Sequence, residues 1–183
     1  ARSAFKLEEI DKKDKLLKPG QNVVDLGAAP GGWCQYARKK LGKKSHLIAV
    51  DLLPIEAITG VEIIQGDFTD PQVRQQINDM LDNQAIDLVL SDMAPNISGI
   101  ASADQARSIG LAEGVLDWSC SVLAAEGGLL MKVFQGSGFD QLRKDVLANF
   151  RSVAVRKPGA SRSRSAEVYL LARGFKGISE TSG

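Results

Sequence analysis

Seven short apolar runs, separated by stretches with helical spacing, constrain this chain more than any other feature. NVVDLG (22–27), HLIAVD (46–51), VEIIQ (61–65), IDLVLS (86–91), LLMKVF (129–134), SVAVRK (152–157) and AEVYLLAR (166–173) read as strands. Helical spacing occupies 31–41, 70–82, 103–124 and 138–149, and an amphipathic helix over 2–17 precedes the first strand. Strand alternating with helix predicts a mainly parallel sheet with helices on both faces, and strands covered on both faces read as continuous apolar runs. Only PGASRSRS (158–165) separates the last two strands. That is too short for a helical crossover, so those strands should form an antiparallel hairpin. With no internal repeat, low-complexity segment or composition break, residues 1–183 read as one α/β domain.

Composition narrows the function classes. No apolar run approaches the ~18 residues of a membrane span, and no secretory signal is visible. The two cysteines, Cys34 and Cys120, form no CxxC pair. With a single histidine, His46, they leave too few soft ligands for a zinc site. A Ser-His-Asp hydrolase would have to be built on His46, which reads instead as the residue leading into a strand. A reduced cytoplasmic protein without a metal is the expectation. The net charge of +1 hides a pattern. Residues 1–50 hold 11 Lys/Arg against 5 Asp/Glu, residues 51–150 hold 5 against 15, and residues 151–183 hold 7 against 2. Two basic ends on an acidic body suggest a polyanionic partner.

VVDLGAAPGGW (23–33) follows the first strand and opens a helix. An α/β sheet binds its ligand there, beyond the carboxyl ends of the strands. Gly27, Gly31 and Gly32 spell GxxxGG rather than GxGxxG, and Ala29 stands where a dinucleotide fingerprint needs bare backbone. Asp25 would repel a diphosphate and suit a cationic ligand. S-adenosyl-L-methionine is such a ligand: it carries an ammonium and a sulfonium and no phosphate. Asp51 ends the second strand, 24 residues after Gly27, close to the offset at which an acid takes ribose hydroxyls. Asp67, in QGDF (65–68), would accept from the adenine amino group, with Phe68 beside the ring. Three successive strand ends, each with an acid, favour S-adenosylmethionine and argue against a nicotinamide-dependent oxidoreductase.

Lys132 sits inside the apolar run LLMKVF, where a lysine is rarely buried without a partner. Asp92 ends the fourth strand and Glu167 opens the last, so one crevice would collect Asp92, Lys132 and Glu167. A desolvated lysine beside a second cation loses its proton easily and becomes a base, whereas carboxylates hold it charged. Sequence alone leaves both readings open, together with that of a strand-end lysine reaching out to water.

RSAFKL (2–7), DLGAAPGGW (25–33), DLLP (51–54), GDF (66–68), SDMAPN (91–96), KVFQG (132–136) and RKP…SR…S…EVY (156–169) resemble, in order, the FtsJ/RrmJ family of 2′-O-ribose RNA methyltransferases. The resemblance covers nearly the whole chain. It implies a Rossmann-like fold and a Lys-Asp-Lys-Glu tetrad on Lys6, Asp92, Lys132 and Glu167. It also implies cofactor contacts at Gly31, Trp33, Asp51, Asp67 and Asp92. Lys6 enters through the resemblance alone. The substrate implied is a uridine of large-subunit ribosomal RNA, within the large ribosomal subunit. Transfer RNA or an mRNA cap, or a non-catalytic role in ribosome assembly, are the alternatives.

The expected reaction is attack of a ribose 2′-oxygen on the sulfonium methyl, which needs alignment and removal of one proton. Lys132 would be the base or would steer the oxygen. Asp92 would orient Lys132, while Lys6 and Glu167 would position the ribose. ARKKLGKK (37–44) and VRKPGASRSR (155–164) would meet RNA phosphates. No oligomerisation element is visible, so a monomer is expected.

Overall fold

The computed structural model describes residues 2–159 and 165–177. Its elements run α1 (Arg2–Asp14), β1 (Val23–Leu26), α2 (Gly32–Leu41), β2 (Leu47–Asp51), β3 (Glu62–Gln65), α3 (Pro71–Met80) and β4 (Ile86–Ser91). They continue with α4 (Ala101–Val122), β5 (Leu123–Phe134), α5 (Phe139–Asn149), β6 (Phe150–Arg156) and β7 (Glu167–Phe175). One seven-stranded sheet has the order β3-β2-β1-β4-β5-β7-β6. The first five strands are parallel, and β7 runs antiparallel between β5 and β6. The parallel sheet and the terminal antiparallel hairpin are as the apolar pattern predicts. The connection expected over 158–165 lies mostly outside the described residues.

Side-chain parity divides the core. Val24 and Leu26 of β1, with Val168 and Leu170 of β7, pack against α3, α4 and α5. Val23 of β1, with Leu130 of β5 and Leu171 of β7, packs against α1 and α2 on the opposite face. Among the described residues no helix is long and apolar enough to cross a membrane.

Element ends follow local chemistry. Asp70 caps α3 by accepting from the Gln72 amide at 2.9 Å, and Pro71 occupies the first turn, where no donor is needed. β5 starts six residues before the expected 129. Its pairing with β4 jumps from Ile86–Leu123 to Leu88–Gly128, so the residues between bulge out. Glycine is required at that bulge, since a Cβ on Gly127 would lie 2.9 Å from the Ala124 carbonyl oxygen. From Gly128 onward the strand is regular, and it carries Lys132 to the sheet's carboxyl edge.

Candidate active site

The carboxyl ends of β1, β2, β3 and β4 surround a cleft of about 650 Å³. Its walls include Gly27, Asp51, Asp67, Phe68 and Asp92, with Leu52, Leu53, Met93 and Asn96. Among the described residues the lining holds three carboxylates and no lysine or arginine. A diphosphate would find no cation there, whereas a cationic ligand would be attracted, as Ala29 in place of a fingerprint glycine suggests.

Two of the carboxylates are held by backbone. Asp51 accepts from the Ala29 amide at 2.8 Å and the Leu53 amide at 2.9 Å, one on each oxygen. It therefore ties β2 to the turn after β1 and keeps lone pairs for hydroxyl donors. Asp67 accepts from the hydroxyl and amide of Thr69 at 2.7 and 2.9 Å, through one oxygen. Those hydrogen bonds hold its carboxyl below the usual range and leave its second oxygen free.

Beside the cleft stands a row of alternating charges. Lys132 Nζ lies 3.1 Å from Asp92 Oδ1 and 3.8 Å from Glu167 Oε1. Lys6 Nζ lies 3.9 Å from Glu167 Oε2. Sheet register explains the meeting. Lys132 pairs with Tyr169 across β5 and β7, and Phe134 pairs with Glu167. Residues directly opposite share a face, and Glu167 lies two residues from Tyr169, so all three side chains point toward α1. Helix α1 then brings Lys6 over them. The four side chains are only 11–27% exposed. Asp92 belongs to both features, bordering the cleft and pairing with Lys132.

Three expected cofactor contacts fall elsewhere in the structure. Asp25 is not in the turn but inside β1, fully buried on the α1/α2 face. Its Oδ2 accepts from the Cys34 thiol at 3.2 Å, and its Oδ1 has no partner among the described residues. Burial, with help from Asp92 and Asp51, pushes its carboxyl up to about 8 against the opposing Cys34 hydrogen bond. Trp33 is also off the cleft. Its indole N–H donates to the Ser3 carbonyl at 2.6 Å and its ring lies 5.7 Å from that of Tyr169. It thus fixes the start of α1, and with it Lys6. Gly31 sits at the start of α2 with φ 120°, against Ile58 rather than on the cleft wall. Phe68 does border the cleft, but its ring is buried edge-on against Trp118, with the Arg74 guanidinium over it.

Two residues escaped the sequence reading. Tyr169 donates its hydroxyl to Asp92 at 2.6 Å, and burial, ahead of Asp92 and Glu167, raises its phenol above the ordinary range. Its signal was available: it lies two residues after Glu167 on a strand, hence on the same face. Asp104 accepts from the Ser98 amide and hydroxyl at 2.9 and 2.7 Å, which braces the loop between Asp92 and α4. Nothing in the sequence distinguishes it from other helix-start acids.

A sheet of this order, with an anionic cleft and a partly buried charge row at its carboxyl edge, fits a group-transfer enzyme built on a doubly wound scaffold. Residues 1–175 match the family model described as FtsJ-like methyltransferase, and the chain belongs to that family. It is 53% identical over 177 residues to the ribosomal RNA large subunit methyltransferase E of Stutzerimonas stutzeri, covering 97% of this chain and 86% of that one. The protein of the same name from Azoarcus is 56% identical over 171 residues, covering 93% and 83%. A crystal structure of a putative ribosomal RNA methyltransferase from Plasmodium falciparum superposes with a TM-score of 0.87 at 27% identity, covering 97% of this chain and 99% of that one. The Rossmann-like methyltransferase fold and the methyltransferase class expected from the sequence are both shown.

Proposed function

We propose that the chain methylates a ribose 2′-hydroxyl of large-subunit ribosomal RNA, using S-adenosyl-L-methionine. The observation that carries this reading is Asp92, which stands at once on the cleft wall and in the Lys132 charge row. It joins a place for a cationic donor to a place for an acceptor oxygen. The donor set of the cleft fits the cofactor. Asp51 offers lone pairs to ribose hydroxyls, Asp67 offers a free oxygen to an amino group, and Asp92 faces the cationic end. When bound, S-adenosylmethionine supplies a methyl already activated by its positive sulfur.

The chain's own residues do the rest. Lys132 projects from β5 beside Asp92, where its ammonium holds or its amine deprotonates an incoming 2′-oxygen. Asp92, fixed by the Tyr169 hydroxyl, orients Lys132. Glu167 bridges Lys132 and Lys6, so that both cations converge on one ribose. Restricted solvent access strengthens each of these contacts. Residues 1–183 act as a single domain, as a monomer in the cytoplasm, without a metal, on RNA within the large ribosomal subunit. The name shared by the two curated relatives favours this substrate over transfer RNA or an mRNA cap.

The test is transfer of labelled methyl from S-adenosylmethionine to large subunits lacking their modifications, by wild type and Lys132→Ala, with free ribosomal RNA and transfer RNA in parallel. Label should appear on a ribose of the subunit RNA and fall ~10²–10⁴-fold in the variant, with cofactor affinity retained. Equal labelling by the variant, or label on transfer RNA alone, refutes the proposal.

A further inference from the structure

The two helices beneath the charge row run from the sheet's carboxyl edge to its opposite edge. Their far ends collect positive charge: Lys12 and Lys13 close α1, Lys39 and Lys40 close α2, and Lys15, Lys18, Lys43 and Lys44 follow them. All eight are exposed. Between these ends lies a concavity of about 430 Å³ lined by Asp11, Lys12, Lys15, Lys18, Tyr36 and Lys40, with Leu17. Among the described residues its one carboxylate, Asp11, stands against four lysines. Asp11 accepts from the Leu17 amide at 2.9 Å and the Tyr36 hydroxyl at 2.7 Å. Lys12 pairs with Glu8 at 3.1 Å, but among the described residues no carboxylate lies within 4.0 Å of Lys15, Lys18 or Lys40.

Lys40 Nζ lies 5.7 Å from the centre of the Tyr36 ring, so its ammonium stands over one wall of the concavity. A helix dipole explains cations in a last turn. It does not explain Lys15 and Lys18, which lie beyond α1. Uncompensated like charges around a hollow repel one another and cost stability unless a partner neutralises them. Nearby Arg38 is excluded from the patch, because its guanidinium is committed to the Gly42, Ser45 and Gly60 carbonyls.

We infer that the Lys15–Lys18–Lys40 hollow is a second anchoring point for the substrate RNA, binding its phosphate backbone away from the reacting ribose. This rests on the RNA reading above and extends it. Eight residues of helix separate Lys6 from Asp14, about 12 Å at 1.5 Å per residue. Nucleic acid carries a phosphate roughly every 3.4 Å along each strand of a duplex. The anchored phosphates therefore lie at least three or four nucleotides from the target. An acceptor filling both places must span at least that many nucleotides, which disfavours single nucleotides and dinucleotides.

The test measures binding of transcribed large-subunit ribosomal RNA at several salt concentrations. Wild type is compared with a Lys15→Gln, Lys18→Gln, Lys40→Gln triple variant and with Lys144→Gln, an exposed control on α5. The triple variant should lose roughly tenfold or more in affinity near 0.1 M salt. Its plot of log affinity against log salt should be shallower by about two to three, near one unit per lost phosphate contact. Its cofactor affinity and its kcat at saturating RNA should match wild type and its thermal midpoint should not fall, since like-charge repulsion is relieved, while KM for RNA rises. An unchanged salt slope overturns the inference. So does weaker binding to intact subunits with RNA binding unaltered, which would assign the hollow to a ribosomal protein. Methyl transfer by wild type to the same RNA reports separately on the proposed function: a changed slope without transfer keeps the anchor and removes the methylation reading.

Discussion

Asp25→Asn isolates the energetic consequence of a carboxyl sealed inside β1. Asp25 is fully buried, receives one hydrogen bond from Cys34, and leaves Oδ1 unpartnered among the described residues. Burial raises its pKa from 3.8 to about 8. Between those values the native protein holds a proton that the unfolded chain has released. Stability must therefore fall as pH rises through this window, by up to about 1.4 kcal/mol per pH unit, and level off above the native pKa. From pH 6 to pH 8 the loss is about 2 kcal/mol. Asparagine keeps the shape, still accepts from Cys34 and has no proton to lose. Urea unfolding of both proteins at pH 5, 6, 7 and 8 measures the difference, and every other titrating group cancels in the comparison. The variant's stability relative to wild type should grow by about 2 kcal/mol between pH 6 and 8, with equal m-values. A difference that stays flat, or shrinks as pH rises, refutes the assignment of a protonated Asp25.

Two further substitutions probe how the site is held. Gly27→Ala would place a Cβ 2.5 Å from Met93 Cγ and 3.1 Å from its amide nitrogen, at a φ of +72°. It should cost about 1–2 kcal/mol of stability for the left-handed backbone and weaken cofactor binding by shifting Asp92; unaltered calorimetric affinity would contradict this. Arg156→Ala removes a two-pronged contact at 2.9 Å to both oxygens of Asp14, which ties α1 to β6. It should cost about 1.5–3 kcal/mol at neutral pH. Because Arg156 holds the Asp14 carboxyl below its ordinary value, the gap between variant and wild type should narrow as pH falls through the acid range. A constant gap down to strongly acidic pH would refute the pairing.

The sheet was legible because strands buried on both faces must be apolar almost throughout, and the short last connection left only a hairpin. The bulge in β5 was not, since two paired stretches separated by AAEG (124–127) read the same as a loop and a strand. At the site, acids at strand ends were legible as a set, but their facing was not. Asp25 precedes Leu26, which packs toward α4, so its own side chain points to the opposite layer and into the Cys34 pocket. Trp33 was expected at the ligand only through the family resemblance. The structure gives it a partner, Ser3, that is distant in sequence and that no local pattern announces.

The placement of Lys132 within an apolar strand follows from charge balance at that edge. Asp92, Lys132, Glu167 and Lys6 alternate in sign along one line, so four poorly solvated charges sum to zero. Opposite charges at 3–4 Å in a restricted medium repay part of the desolvation that each alone would suffer. Removing either lysine leaves an excess carboxylate, and removing either acid leaves an excess cation. The balance also gives Asp25 a role without a ligand contact. Asp92 and Asp51 both help to push its carboxyl up, and an ionised carboxylate there would add a third negative charge to theirs. Sealed, with burial pushing its carboxyl up to about 8, it accepts from Cys34 on α2 and leaves the charge of the cleft to the residues that face it.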